Sequence, residues 1–222
     1  MVNHKTVVVR KPWGYEYLAY ENEHVALWIL HIRAGERTSL HCHPTKSTGL
    51  VVVSGTAEIN FIADSRIITA PGKQMIRRGL FHQTHAITDT IMFEIETPVD
   101  KNDLVRLTDN YGRTATGYEG TEFQLPKSNE CLWISEPELG TKHHYAQGDC
   151  RITVETVTDI DILNNKNDSD LLMFLRGGLI KNVDGREHLV TAPGDVGLAS
   201  VVQQVAQEMD GFAPHTVVMT IE

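Results

Sequence analysis

Three histidines carry the most specific chemical signal in the chain. His41 and His43 flank Cys42, and His82 follows Gly79-Leu80-Phe81. On a strand, residues i and i+2 project from the same side of the sheet. His41 and His43 would then present two imidazoles to one point, and His82 from a later strand would complete one face of a metal ion. Neutral imidazole suits several divalent metals, so the site is expected to take one divalent ion: zinc, manganese, iron or nickel. Three protein ligands leave positions for water and substrate, as catalytic centres require. Glu94 and Glu96 alternate with Phe93 and Ile95, which places both carboxylates on one face of a strand. A buried carboxylate there is a candidate for moving protons near neutral pH. Cys42 faces away from its two neighbours and reads as a small core residue. His85 is either a substitute ligand or a loop residue. The adjacent pair His143-His144 points opposite ways and reads as surface or domain contact.

The elements that must position these residues are short and β-rich. Runs at Thr6–Val9, Val25–Arg33, Gly49–Ser54, Ala57–Ile62, Ile67–Ala70 and Thr90–Glu96 are separated by Gly, Pro and Asn/Asp breaks. That punctuation predicts a sandwich or barrel. Helical patterns are scarce; Lys101–Leu107 and Val201–Met209 are each expected to carry a short helix or a turn. A repeat runs through the chain at an offset of 122 residues. Thr69-Ala70-Pro71-Gly72 recurs as Thr191-Ala192-Pro193-Gly194, and Gly55 recurs as Gly177, each after an apolar run. Two domains are therefore expected, residues 1–118 and 119–222, with the boundary in a polar segment between Gly112 and Gln124. The same offset carries His41, His43 and His82 to Leu163, Asn165 and Gln204. The second copy is expected to keep the fold without the metal.

Composition sets outer limits. The 222 residues are 41% hydrophobic, enough for a sizeable core. A net charge of -9 argues against a nucleic-acid partner, which needs a basic face. It does not exclude a small anionic ligand held by a few local cations. Three scattered cysteines read as reduced thiols in the cytoplasm. The first residues form no signal peptide, and no run approaches the length of a membrane span.

Several stretches together resemble a known family. They are Lys11-Pro12-Trp13-Gly14, Gly35-Glu36-Arg37-Thr38-Ser39-Leu40, Val51-Val52-Val53-Ser54-Gly55-Thr56-Ala57-Glu58 and Gly79-Leu80-Phe81-His82. Glu94-Ile95-Glu96-Thr97-Pro98 and the run from Asp103 to Arg113 that ends in Tyr-Gly-Arg complete them. Over residues 10–113 the chain is similar to cupins, and in particular to the type II phosphomannose isomerase domain of bifunctional mannose-1-phosphate guanylyltransferases. The resemblance implies an all-β tandem of cupin jelly rolls (double-stranded β-helices), the second degenerate. It implies His41, His43 and His82 as metal ligands and Glu94 inside the barrel. The family's glutamate ligand is replaced here by Thr48, and its arginine two residues earlier by Lys46.

The function expected on these grounds is a metal-dependent isomerase or epimerase of a sugar or sugar phosphate, working through an enediol. Glu94, Glu96 and Lys46 are the candidate catalytic groups, and Lys46 and Arg113 the candidate phosphate contacts. Arg77, Arg78 and Arg106 read as solvated. Trp13 reads as packing. The partner is a small carbohydrate, with neither nucleic acid nor membrane, and a homodimer is expected because cupins pair through sheet edges. Two alternatives come from other classes: a three-histidine iron(II) dioxygenase, and a sugar- or metabolite-binding protein without catalysis.

Overall fold

A computed structural model describes residues 4–114 and 118–222; of the polar segment after Gly112, residues 115–117 lie outside that description. The chain separates into two compact units, Met1–Trp133 and Ile134–Glu222. This division comes later than the expected boundary at 118/119 because a strand at Gln124–Pro126 pairs with Val7–Val9 and belongs to the first unit.

The first unit holds twelve strands: β1 Val7–Lys11, β2 Gly14–Glu21, β3 Ala26–Ile32, β4 Leu40–Cys42, β5 Ser47–Ser54, β6 Thr56–Phe61, β7 Ser65–Thr69, β8 Gly72–Ile76, β9 His82–Ala86, β10 Thr90–Thr97, β11 Val105–Thr108 and β12 Gln124–Pro126. They form two antiparallel sheets, ordered β12-β1-β2-β3-β10-β5-β8 and β11-β4-β9-β6-β7. The larger sheet has the more apolar strands at its centre. Leu27 to Leu30 in β3 and Leu50 to Val53 in β5 are buried on both faces, which suits the continuous β-branched and aliphatic runs found there. Between the sheets, Trp13, Trp28, Leu50, Val52, Ile59, Ile76 and Met92 form one core cluster. Each aliphatic side chain buried this way stabilises the fold by about 1.5–3 kcal/mol. This apolar half supports a second half of the interior that is polar.

Some strands are not apparent in the apolar pattern. In β2 the register slips between Leu18 and Tyr20, and a bulge of this kind spoils the alternation that marks a strand. In β9 the buried positions are His82, Thr84 and Ala86, so its inward face is largely polar. The segment after Lys101 forms a turn and then β11, not a helix.

The second unit contains β13 Lys142–Gln147, β14 Cys150–Val157, β15 Leu171–Arg176, β16 Leu179–Val183, β17 Arg186–Leu189, β18 Val196–Leu198, β19 Gly211–Phe212 and β20 Thr216–Ile221, with helix α1 at Ala199–Ala206. Its sheets run β13-β14-β20-β15-β18 and β17-β16-β19. The order β14-β20-β15-β18 reproduces β3-β10-β5-β8, and β19-β16-β17 reproduces β9-β6-β7. The second unit is thus the same jelly roll, as the repeat implied. It departs in two places. A 3-10 helix at Ile160–Asn165 precedes β15 where the first unit has β4, and α1 lies between β18 and β19. Gln204 therefore sits in a helix and does not correspond to His82, because the helix lengthens that connection and ends the constant offset. Leu163, Leu172, Phe174, Val202 and Val218 fill the interior with apolar side chains. No helix among the described residues is long and apolar enough to cross a membrane.

The landmark glycines mark the same turn in both units. Gly55 (φ +79°) and Gly177 (φ +61°) are left-handed, and a Cβ would lie 2.2 Å from the Asp89 carbonyl oxygen at the first and 2.3 Å from the Thr216 hydroxyl at the second. Gly35 is also left-handed (φ +80°) but has nothing within 4 Å. Gly35→Ala is expected to cost about 1–2 kcal/mol from backbone strain alone, and Gly55→Ala clearly more because the turn must also move. Urea-unfolding midpoints of the two variants test that order.

Candidate metal centre and acid-base cavity

The histidines converge because of strand pairing. His41 in β4 lies directly across from His82 in β9, and His43 follows His41 by two residues. Ring centroids are 4.9 Å apart for His41–His43, 4.5 Å for His41–His82 and 5.5 Å for His43–His82. One ligand atom from each lies within 4.8 Å of the others.

The rings are oriented by the backbone. His41 Nδ1 donates to the Ser39 carbonyl at 2.8 Å, His43 Nδ1 to Asp103 at 2.6 Å and His82 Nδ1 to Leu80 at 3.0 Å. A carbonyl oxygen only accepts, so each Nδ1 must carry the proton and each Nε2 is left as a lone-pair donor. The Nε2 atoms of His43 and His82 are buried without any hydrogen-bond partner. Leaving such a group unpaired costs about 1–3 kcal/mol, and a metal ion would satisfy it. Burial lowers the pKa of all three: His82 to about 4, His43 with help from nearby Lys46, and His41 with help from the other two rings. Neutral imidazoles with fixed tautomers and convergent Nε2 atoms fit a divalent ion.

The same cavity is lined by Glu94 and Glu96 from β10, by Lys46, and by Arg113 at its edge. Each has a distinct environment. Lys46 is 1% exposed, and its Nζ donates to Glu96 Oε1 at 2.7 Å. Burial alone would raise the Glu96 pKa, but Lys101 and Lys46 outweigh it and hold the carboxyl low. Glu94 forms no ion pair among the described residues. Burial first, and then the charge of Glu96, push it up to about 7. Arg113 is held by Asp109 at 2.7 Å and Glu119 at 2.6 Å, so its charge is already shared between two carboxylates.

Several groups in the cavity carry no recognisable sequence signal. Glu16 pairs with Lys11 and with Lys101, each at 3.3 Å, and accepts a hydrogen bond from the Tyr118 hydroxyl. Burial opposes its ionisation, yet Lys101 and Lys11 hold it down at about 2. Lys101 Nζ also sits 3.6 Å from the Trp28 ring centroid, a cation–π contact. Lys11 pairs with Glu119 as well. Arg106 was expected at the surface but lines the cavity. Trp13 is a core residue that also walls the cavity. Only the alternation of Glu16 within β2 pointed inward, and the bulge obscured it. His85 faces the other way from His82, with its Nδ1 3.4 Å from Glu58. Among the described residues, the side-chain groups able to hold a metal all lie in this unit.

The family model described as mannose-6-phosphate isomerase C-terminal matches residues 1–109. Over these residues the chain is similar to that domain. Among solved structures, the chain is similar to KdgF from a Halomonas species, at 14% identity over 40% of this chain and 84% of that one, with a TM-score of 0.39. It is also similar to an RmlC-like cupin from Shewanella frigidimarina, at 17% identity over 46% and 91% of the two chains, with a TM-score of 0.41. No curated protein matches the sequence.

Loading with a divalent ion is expected to raise the thermal midpoint of the wild-type chain, since binding to the folded state stabilises it. His82→Ala should abolish that rise and His85→Ala should keep it. Differential scanning calorimetry with and without added zinc distinguishes the two.

Proposed function

We propose that the cupin unit isomerises or epimerises a sugar or sugar phosphate by moving a proton between adjacent carbons through an enediol. Glu94 carries this reading. It is a buried carboxyl beside the histidine cluster, without an ion pair, and its pKa is raised to about 7. A group poised near working pH is the efficient choice for general acid-base catalysis.

A divalent ion held by His41, His43 and His82 would supply Lewis-acid polarisation of the substrate carbonyl. Glu94 takes the proton from the carbon next to the carbonyl. It then returns that proton to the neighbouring carbon while the hydroxyl proton passes from one substrate oxygen to the other; an epimerisation needs a second acid to protonate the opposite face of the same carbon. Glu96, kept ionised by Lys101 and Lys46, is the poorer base and instead fixes the local charge. Lys46 and Arg113 are assigned to the substrate's phosphate. Each can reach it only by giving up part of its present pairing, Lys46 with Glu96 and Arg113 with Asp109 and Glu119. Trp13, Leu30 and Leu50 line the apolar side of the cavity, exclude water there and slow loss of the shuttled proton. The free cysteines accord with a reducing compartment, and we assign the protein to the cytoplasm as a homodimer.

The test is incubation of the metal-loaded protein with aldose and ketose phosphates in deuterium oxide. Deuterium should appear at the carbon next to the carbonyl. Glu94→Gln should slow that exchange by about 100-fold or more, while KM changes little. Oxygen consumption without exchange would overturn the proposal in favour of an oxygenase. Binding without turnover would do so in favour of a sugar-binding protein.

A further inference from the structure

His43 belongs to two ligand groups at once. One is His41, His43 and His82. The other is His43, Glu94 and Glu96, whose ligand atoms also lie within 4.8 Å of one another. With its Nδ1 bound to the Asp103 carbonyl, the nitrogen that His43 can share between them is Nε2. The two groups share His43, whose Nε2 is buried and lacks a hydrogen-bond partner among the described residues. A carboxylate from β10 thus stands within reach of the centre that the histidines open.

Of the two carboxylates, Glu96 is the better placed. It is 2% exposed, deeper than Glu94 at 8%, and its charge acts on both His43 and His82. In the β5–β10 pairing, Glu96 lies directly opposite Thr48. Thr48 is itself buried, and its hydroxyl oxygen has no hydrogen-bond partner. No carboxylate from β5 competes at that point, and Lys46 Nζ is the cation that Glu96 meets.

We infer that Glu96 is a fourth protein ligand of the metal centre, completing a three-histidine, one-carboxylate set, and that Lys46 and the metal are alternative partners for this carboxylate. The inference rests on the histidine centre proposed above and divides the labour of the two glutamates. Glu96 serves the metal and Glu94 remains available for the proton. When Glu96 turns to the metal, the Lys46 ammonium loses its partner inside the cavity and becomes available to an anionic oxygen of the substrate. Zinc and similar ions accept such a mixed nitrogen and oxygen set.

Cobalt(II) reports both affinity and ligand geometry through its visible absorption bands, with no need for substrate. The full chain, stripped of metal and titrated with cobalt(II) against a competing chelator, is compared with Glu96→Gln, Glu94→Gln and His82→Ala. Glu96→Gln should weaken binding at least tenfold and shift the visible bands, while Glu94→Gln keeps wild-type affinity. Because Glu96→Gln strands a buried lysine, the double variant Lys46→Met with Glu96→Gln is measured as well and should show the same loss. Wild-type affinity and bands in that folded double variant, with His82→Ala failing to bind, would overturn the carboxylate assignment and leave the histidine centre standing. Weakening by Glu94→Gln alone would also overturn it. Wild-type affinity in His82→Ala would overturn the histidine centre and this inference together.

Discussion

A buried charge must find a partner or become neutral, and that constraint organises the first unit. Taking an isolated ion out of water costs several kcal/mol even after relaxation. The cavity nevertheless buries Glu16, Glu96, Lys11 and Lys46. Each is tied to an opposite charge: Lys46 to Glu96, Lys11 to Glu16 and Glu119, and Lys101 to Glu16. The histidines meet the constraint by becoming neutral. Glu94 has no ion pair among the described residues to hold it ionised, and its pKa is pushed up to about 7. The exception in an otherwise compensated network is thus the group best suited to exchange a proton, and the compensation around it makes it exceptional.

Backbone geometry does the rest. The three carbonyls that receive Nδ1–H come from Ser39, Leu80 and Asp103, each just outside a strand end. Chain segments with unpaired carbonyls are available there, whereas carbonyls within a ladder are already used. Ring orientation is therefore fixed by loops anchored on a rigid frame. Asp103 contributes twice. Its carbonyl orients His43, and its carboxylate accepts from the backbone N–H groups of Thr45 and Lys46 at 2.9 and 2.8 Å. This ties the loop after β10 to the chain between β4 and β5, and so couples His43 to the lysine beside Glu96.

The second unit shows what the same topology becomes when the polar half is removed. In the strand ladders, Glu94 pairs with Leu50 and Thr220 with Leu172, so Thr220 occupies the place of Glu94. The 3-10 helix that precedes β15 sends Leu163 into the core where the first unit has histidines on β4, and α1 adds Val202 and Ala206. Apolar filling of this kind gains transfer free energy that a polar cavity forfeits. The strand order survives because it depends on backbone pairing and inward apolar positions, both of which the repeat preserves.

Types and spacing alone determined the all-β class, the duplication, the inward pair His41 and His43, and the shared face of Glu94 and Glu96, because periodicity along one strand is a local property. Only the tertiary structure decided which of these groups meet. The pairing of β4 with β9 brings His82 to His41. Side-chain direction separates His82 from His85, and packing gives Lys46 to Glu96 while leaving Glu94 unpaired. Glu16, Lys101, Tyr118 and Glu119 could not be assigned from the sequence, since each looks like an ordinary surface residue until the chain closes over it. Burial and charge pairing are properties of distant segments brought together, and both depend on what the rest of the chain places around a residue.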